Sequence, residues 1–78
     1  MADLTRIVAN PAVMMGKPVI RGTRLTVEHI LDELAGGLSL ADLLDSHPRL
    51  TAADVQAALG FAAESVRMER LSTIQVAS

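Results

Sequence analysis

The order of apolar and polar positions changes near residue 26 of this 78-residue chain. Before it, short apolar runs such as Arg6–Ala9 are broken by Pro, Gly and Asn, as in strands joined by turns. After it, apolar residues recur every three or four positions, the period of a helix packed on one face. The pattern predicts a small β element followed by helices.

The β element is predicted to be a hairpin. Two segments, 18–20 and 24–27, flank the sequence Arg21-Gly22-Thr23. Gly22 can adopt the positive φ that a tight reversal needs. Pro18 is expected at a strand start, because proline cannot donate a hydrogen bond to a ladder.

Three helices are predicted after the hairpin, each with a capping residue before it. Thr26, Ser39 and Thr51 can accept hydrogen bonds from the first turns of these helices. Asp42 and Asp54 follow the last two caps by three residues, as in a capping box.

The helix ends and inward faces follow from the same pattern. Gly36-Gly37 ends the first helix and Pro48 ends the second. Phe61 lies off the centre of the apolar face that the third helix is predicted to turn inward. We therefore expect its side chain to contact a second surface besides the core. The predicted inward residues are Val27, Ile30, Leu31 and Leu34; Leu40, Leu43 and Leu44; and Val55, Leu59, Ala62 and Val66, widened by Ala52 and Ala58.

These elements predict a mainly α fold with a small β element: an N-terminal β-hairpin followed by a tri-helical, helix-turn-helix-like bundle. We expect a single domain over residues 1–66, with the hairpin region at 5–27 and the helices at 27–66. Residues 67–78 are predicted to be a C-terminal tail.

The amino-acid composition excludes several kinds of functional site. Half of the residues are apolar, but Phe61 is the only aromatic residue and there is no Cys. The chain therefore has a core, yet no thiolate site, disulfide or aromatic platform for stacking. No signal-peptide pattern and no apolar run of about 18 residues is present, so a soluble, cytoplasmic protein is expected. So small a core also favours a homodimer or a partner protein.

Charge is distributed unevenly. Residues 1–26 carry four basic residues and one acidic residue, net +3, whereas residues 27–78 carry a net −5. The predicted DNA-contacting residues are those of the hairpin, Lys17, Arg21, Thr23 and Arg24, joined by Gln56 of the third helix. Ordinary surface charge, with Gly22 needed only for the turn, is the alternative.

The third helix is a poor reader of the major groove. Its predicted outward residues are Ala53, Gln56, Ala57, Gly60 and Glu64, of which Gln56 alone suits base edges. Glu64 and the second helix's Asp42 and Asp45 repel phosphate. A purely structural tri-helical core is therefore the competing interpretation.

No catalytic arrangement is found. His29 and His47 are assigned to different helices, and neither has a carboxylate or Ser at metal-ligand or triad spacing. His47 precedes Pro48, as a helix-end residue does. We expect no enzyme activity, metal, cofactor or small-molecule substrate.

The segment Asn10–Val27, which ends in GKPVIRGTRLTV at Gly16–Val27, resembles the signature of the bacterial domain of unknown function (DUF) 433 family. Ser39–Leu44, Pro48–Thr51 and Asp54–Leu59 are similar to the family's later motifs, in order, so the resemblance covers about residues 5–66. Met15 stands where the pattern often has Gly, which adds an exposed thioether to the loop. The resemblance implies a homeodomain-like helical protein.

Several members resemble VapB-type antitoxins, which implies neutralisation of a PIN-like ribonuclease toxin and binding of operator DNA. Such a nuclease holds a metal among carboxylates, and an inserted Arg can pair with them. The predicted partner-binding residues are Arg67, Arg70, Leu71, Ile74 and Val76. The alternative is a homodimeric adaptor without a nucleic-acid role, in which Val19–Ile20 is an exposed pairing edge.

Overall fold

The computed structural model describes residues 3–68, in which two short strands precede three helices. β1 is Ile7–Val8, β2 is Val19–Ile20, α1 is Val27–Ala35, α2 is Leu40–Ser46 and α3 is Ala52–Met68. Short 3-10 turns lie at Leu4–Arg6 and Met14–Gly16. This order confirms the predicted fold class. No helix within 3–68 is both long and apolar enough to cross a membrane.

β2 is flanked on both of its edges. On one side it pairs antiparallel with β1, with Ile7 opposite Ile20 and Val8 opposite Val19. On the other side Val19 forms an isolated bridge with Thr26. The predicted hairpin is thus present as a turn, but its second arm is joined by a bridge and the regular ladder is formed with β1. Val19 and Ile20 are each only 2% exposed, so the expectation that they form an exposed pairing edge was wrong.

The predicted caps of the first two helices are confirmed. Thr26 Oγ1 accepts a hydrogen bond from His29 N–H at 3.0 Å. Ser39 Oγ accepts one from Asp42 N–H at 3.1 Å. Each cap satisfies a backbone donor that has no partner within the helix, which fixes where the helix begins.

The core lies where α1, α2, α3 and the β2 segment meet. As predicted, Val27, Ile30 and Leu43 face inward, with exposures of 4%, 0% and 0%. Leu40 was predicted inward but is 45% exposed, because α2 first meets the core one turn later, at Leu43. The buried apolar cluster consists of Ile20, Val27, Ile30, Leu43, Leu50, Val55 and Ala58.

α3 turns a different face to the core from the one predicted. Val55 and Ala58 are buried as expected, but Leu59 and Val66 are 47% and 58% exposed. Ala57, predicted on the outer face, is fully buried. Small side chains at 57 and 58 let the neighbouring elements approach closely, so packing of these residues overrides the larger apolar stripe.

A polar contact accompanies this rotation of α3. Asp54 is 6% exposed, and its Oδ1 accepts from Arg6 Nη1 at 3.0 Å. Its Oδ2 accepts from Thr51 N–H at 3.0 Å, and Thr51 Oγ1 accepts from Asp54 N–H at 3.2 Å. Asp54 therefore completes a reciprocal capping box and also ties α3 to the segment before β1.

Candidate functional site

The turn after β2 is fixed by its own hydrogen bonds. Thr23 donates to the Ile20 carbonyl from both N–H, at 3.0 Å, and Oγ1, at 2.8 Å. Thr23 Oγ1 also accepts from Leu25 N–H at 3.0 Å. Gly22 has φ +80, as predicted for the reversal. The Thr23 hydroxyl proton is thus used within the turn, and the residue's role there is structural.

Arg24 and Arg49 come together at this turn. Arg49 Nη1 lies 3.4 Å from the Gly22 carbonyl, although the two residues are 27 positions apart. Arg24 and Arg49 are both exposed and line the same two depressions beside the turn. Within residues 3–68 neither guanidinium has a carboxylate within 4.0 Å. We call Arg24, Arg49 and the Gly22–Thr23 backbone the cationic turn.

Arg21 does not line either of the two depressions beside the turn. Its backbone N–H donates to the Arg6 carbonyl at 2.8 Å, and its side-chain charge acts on Asp3. The pKa of Asp3 is lowered mainly by hydrogen bonds from Thr5, with smaller contributions from the charges of Arg6 and Arg21. Of the two arginines predicted at the tip, Arg24 lines the two depressions and belongs to the cationic turn, whereas Arg21 does not line them.

The other predicted DNA-contacting residues are separate from the cationic turn. Lys17 Nζ pairs with Glu28 Oε1 at 3.0 Å and lies beside α1. Gln56 is exposed on α3. Arg49 was not identified from the sequence as a candidate DNA-contacting residue. The available signal was its position two residues before the Thr51 cap, on the connection that leads into α3.

An apolar groove runs between α1, α3 and the Lys17-Pro18 segment. Its volume is about 350 Å³, and its walls include Val27, Leu31, Phe61 and Val66. Phe61 is half-buried and packs partly against the core, which fits its predicted contact with a second surface. The groove is a surface on which another apolar group could be buried.

Arg67 lies on the last turn of α3 and is exposed. Its guanidinium pairs with Glu64 one turn earlier. The other predicted partner-binding residues, Arg70, Leu71, Ile74 and Val76, lie outside the described residues.

Both histidines contact the same carboxylate. His29 and Glu33 are one turn apart on α1, and His29 Nε2 lies 2.5 Å from Glu33 Oε1. His47, the C-cap residue of α2, places its Nε2 3.0 Å from the same oxygen. The pKa of Glu33 is lowered, first by the hydrogen bond from His47, against the opposing effect of burial.

The histidine–glutamate cluster corrects the expectation that neither His has a carboxylate arranged with it. The contact between His29 and Glu33 could have been predicted from the sequence, because residues four apart on a helix are neighbours. The approach of His47 depends on how α2 packs on α1, and no local pattern reports that packing. His47 is, as predicted, a helix-end residue.

Comparison with known proteins identifies the family to which the chain belongs. Residues 7–62 match the family described as "Protein of unknown function (DUF433)". A DUF433 member protein from Anabaena variabilis, solved by crystallography at 2.00 Å resolution, is similar with a TM-score of 0.76 and 30% sequence identity. The similarity covers 81% of this chain and 62% of that one, so this chain spans less than two thirds of its length. No curated protein matches. With most of its length inside the family match, the chain belongs to the DUF433 family.

Proposed function

We propose that this protein is a non-enzymatic, antitoxin-type regulator that binds DNA through the cationic turn and a PIN-like ribonuclease toxin through the α1–α3 groove. The observation that carries the proposal is that Arg24 and Arg49, two exposed residues without a carboxylate partner in residues 3–68, line the same two depressions beside the turn. Resemblance to antitoxin-like proteins supplies the class of partner.

The chemistry of the cationic turn favours phosphate. A guanidinium group presents a planar set of N–H donors that matches the oxygens of a phosphate group. Contacts of this kind supply most of the sequence-independent affinity for DNA. The exposed acids of α2, Asp42 and Asp45, would repel phosphate, so DNA is expected to meet the turn rather than the face of that helix.

A homodimer would strengthen such binding. Two copies related by a two-fold axis would present two cationic turns to a two-fold symmetric operator. Since β2 is occupied on both edges, the dimer is not expected to form by pairing of that strand with its copy.

The DNA-binding part is tested by fluorescence anisotropy with a mixed-sequence 20-base-pair duplex between 50 and 200 mM salt. Wild-type affinity should fall steeply as salt rises. Arg24→Ala/Arg49→Ala should reduce the slope of log affinity against log salt by about two per chain. Lys17→Ala/Arg67→Ala removes the same charge from residues paired with glutamates and is the matched control.

Two results would contradict this assignment. Equal binding by the two double variants would mean that only net charge matters. Absence of wild-type binding at 50 mM salt would instead favour the homodimeric adaptor.

The toxin-binding part rests on the groove and on Arg67 beside it. Phe61 and Val66 offer apolar surface, and Arg67 could leave Glu64 to pair with the carboxylates of a nuclease site. Val66→Glu should abolish inhibition of the PIN-like ribonuclease that this proposal requires as the partner. Leu59→Glu, a change at another exposed apolar residue of α3 that lies two turns earlier and does not line the groove, should leave inhibition intact; equal loss in both variants would exclude the groove.

A further inference from the structure

Both histidines of the chain meet at one carboxylate oxygen, and neither the family nor the proposed function accounts for this. The chain has two His and no Cys, so a metal site with nitrogen or sulfur side-chain ligands of the kind that zinc prefers must draw on these two rings. Glu33 Oε1 is the shared contact, and the His29 and His47 rings meet edge to face with centroids 5.8 Å apart.

We propose that His29, Glu33 and His47 form a binding site for a divalent transition-metal ion, with Zn²⁺ as the preferred occupant. Two imidazole nitrogens and one carboxylate are a ligand set that proteins use for zinc, with the fourth position left to water. Imidazole also binds copper and nickel, whereas magnesium and calcium prefer oxygen ligands alone.

The distances are close to those that a bound ion requires. The ligand atoms of the three residues all lie within 4.8 Å of one another. Zinc–nitrogen and zinc–oxygen bonds of about 2.0–2.2 Å place neighbouring tetrahedral ligands about 3.4 Å apart. The Glu33 oxygen must therefore move away from both nitrogens by less than about 1 Å, and the two nitrogens must approach each other by up to about 1.4 Å, which rotations of these side chains can provide.

The hydrogen-bonding atoms are also the ones that a metal would use. Each ring directs Nε2 at Glu33, so a metal ion could replace protons on this side while Nδ1 carries the remaining N–H. The side chains of Glu33 and His47 are 24% and 27% exposed, whereas His29 is 53% exposed. The cluster is partly shielded yet open on the His29 side, through which an ion can enter.

The ion would connect two helices. Glu33 lies within α1 and His47 at the end of α2, 14 residues later. An ion that binds the folded state and not the unfolded chain stabilises the fold in proportion to its occupancy. At a free Zn²⁺ concentration 100 times the Kd, Tm should rise by about 10 °C or more.

The test is an NMR titration of the untagged chain with Zn²⁺ alone, read from the imidazole signals. Because there are two histidines, each signal can be assigned from one variant. Both should shift along the same saturation curve to one ion per chain, and EDTA should reverse the change. Failure of either His to shift, or no saturation by about 1 mM Zn²⁺, would overturn the site.

Variants separate a site from adventitious binding. His47→Ala and Glu33→Gln should each weaken Zn²⁺ binding by at least about tenfold. Glu28→Gln, which removes the charge of the other glutamate of α1, should bind as wild type does. If His47→Ala does not fold, the half-exposed His29→Ala serves the same purpose. Unchanged affinity in Glu33→Gln, or equal loss in Glu28→Gln, would reject the proposal, and neither result depends on DNA or toxin binding.

Discussion

The segment 3–26 and the helical body 27–68 are held in place by different means. The segment has net positive charge, two-residue strands, 3-10 turns and two non-glycine residues with positive φ, Met14 and Met15. The body is acidic, and its helices begin at side-chain caps. The body is specified largely by neighbouring residues, whereas the segment is ordered by contacts with residues far along the chain. The following changes test that difference.

The largest effect is expected from Asp54→Ala, which removes the link between the two regions. The change removes the Asp54 side-chain half of the capping box of α3, while the bond from the backbone N–H of residue 54 to Thr51 Oγ1 remains, and it leaves Arg6 without its buried partner. We expect the free energy of unfolding to fall by about 2–3 kcal/mol, measured by urea denaturation. Glu64→Ala, an exposed change on the same helix, should shift it by less than about 0.5 kcal/mol.

A double-mutant cycle sharpens this result. If Arg6→Ala and Asp54→Ala act through one contact, the double variant should be less destabilised than the sum of the two single variants. Additive effects would mean that the N-terminal segment is held in place by something other than this ion pair.

A smaller effect is expected at the junction of the two regions. Thr26 is 7% exposed, caps α1 and also bridges to β2. Thr26→Ala should lower the free energy of unfolding by about 1–1.5 kcal/mol, because the His29 N–H loses its acceptor. Thr26→Ser keeps the hydroxyl and should recover most of this loss; no difference between the two variants would show that the cap is unimportant.

The smallest effect is a gain within the segment itself. Met15 has φ 58 and is 92% exposed, so its side chain has little packing to offset a left-handed backbone. Met15→Gly should raise the free energy of unfolding by about 1 kcal/mol, measured as a higher Tm.

Gly22→Ala is the control for Met15→Gly, because it places a side chain at a positive φ and should lower the free energy of unfolding. A Cβ at Gly22 would have no atom within 4 Å, so its cost of about 1 kcal/mol would come from the positive φ alone. Destabilisation by Met15→Gly would show that the loop does not adopt this conformation.

The sequence-based predictions succeeded for features that neighbouring residues specify and failed for features that depend on distant contacts. The caps at Thr26, Ser39 and Thr51 and the reversal at Gly22 depend on residues one to four positions apart, and all were predicted. The face that α3 turns to the core was not predicted correctly. The larger apolar residues Leu59 and Val66 indicated an inward face that the structure leaves exposed. Burial of Ala57 and Asp54 depends on the elements packed against α3, namely the Leu4–Arg6 turn, β1 and α1, which lie far away in sequence.

The candidate sites were predicted only in part for the same reason. Arg24 was identified from the hairpin motif, but its partner Arg49 reaches the turn only after the helices pack. His29 and Glu33 are local neighbours, yet the third member of their cluster comes from another helix. Local patterns therefore identify individual residues, and tertiary packing decides which of them act together.

The contact between Arg6 and Asp54 also has a consequence for biosynthesis. Asp54 is translated 48 residues after Arg6, which takes roughly 2–10 s at ribosomal elongation rates of about 5–20 residues per second. During that interval the nascent N-terminal segment lacks the anchor that holds it against α3. Its final conformation must therefore form late, once α3 has emerged from the ribosomal exit tunnel.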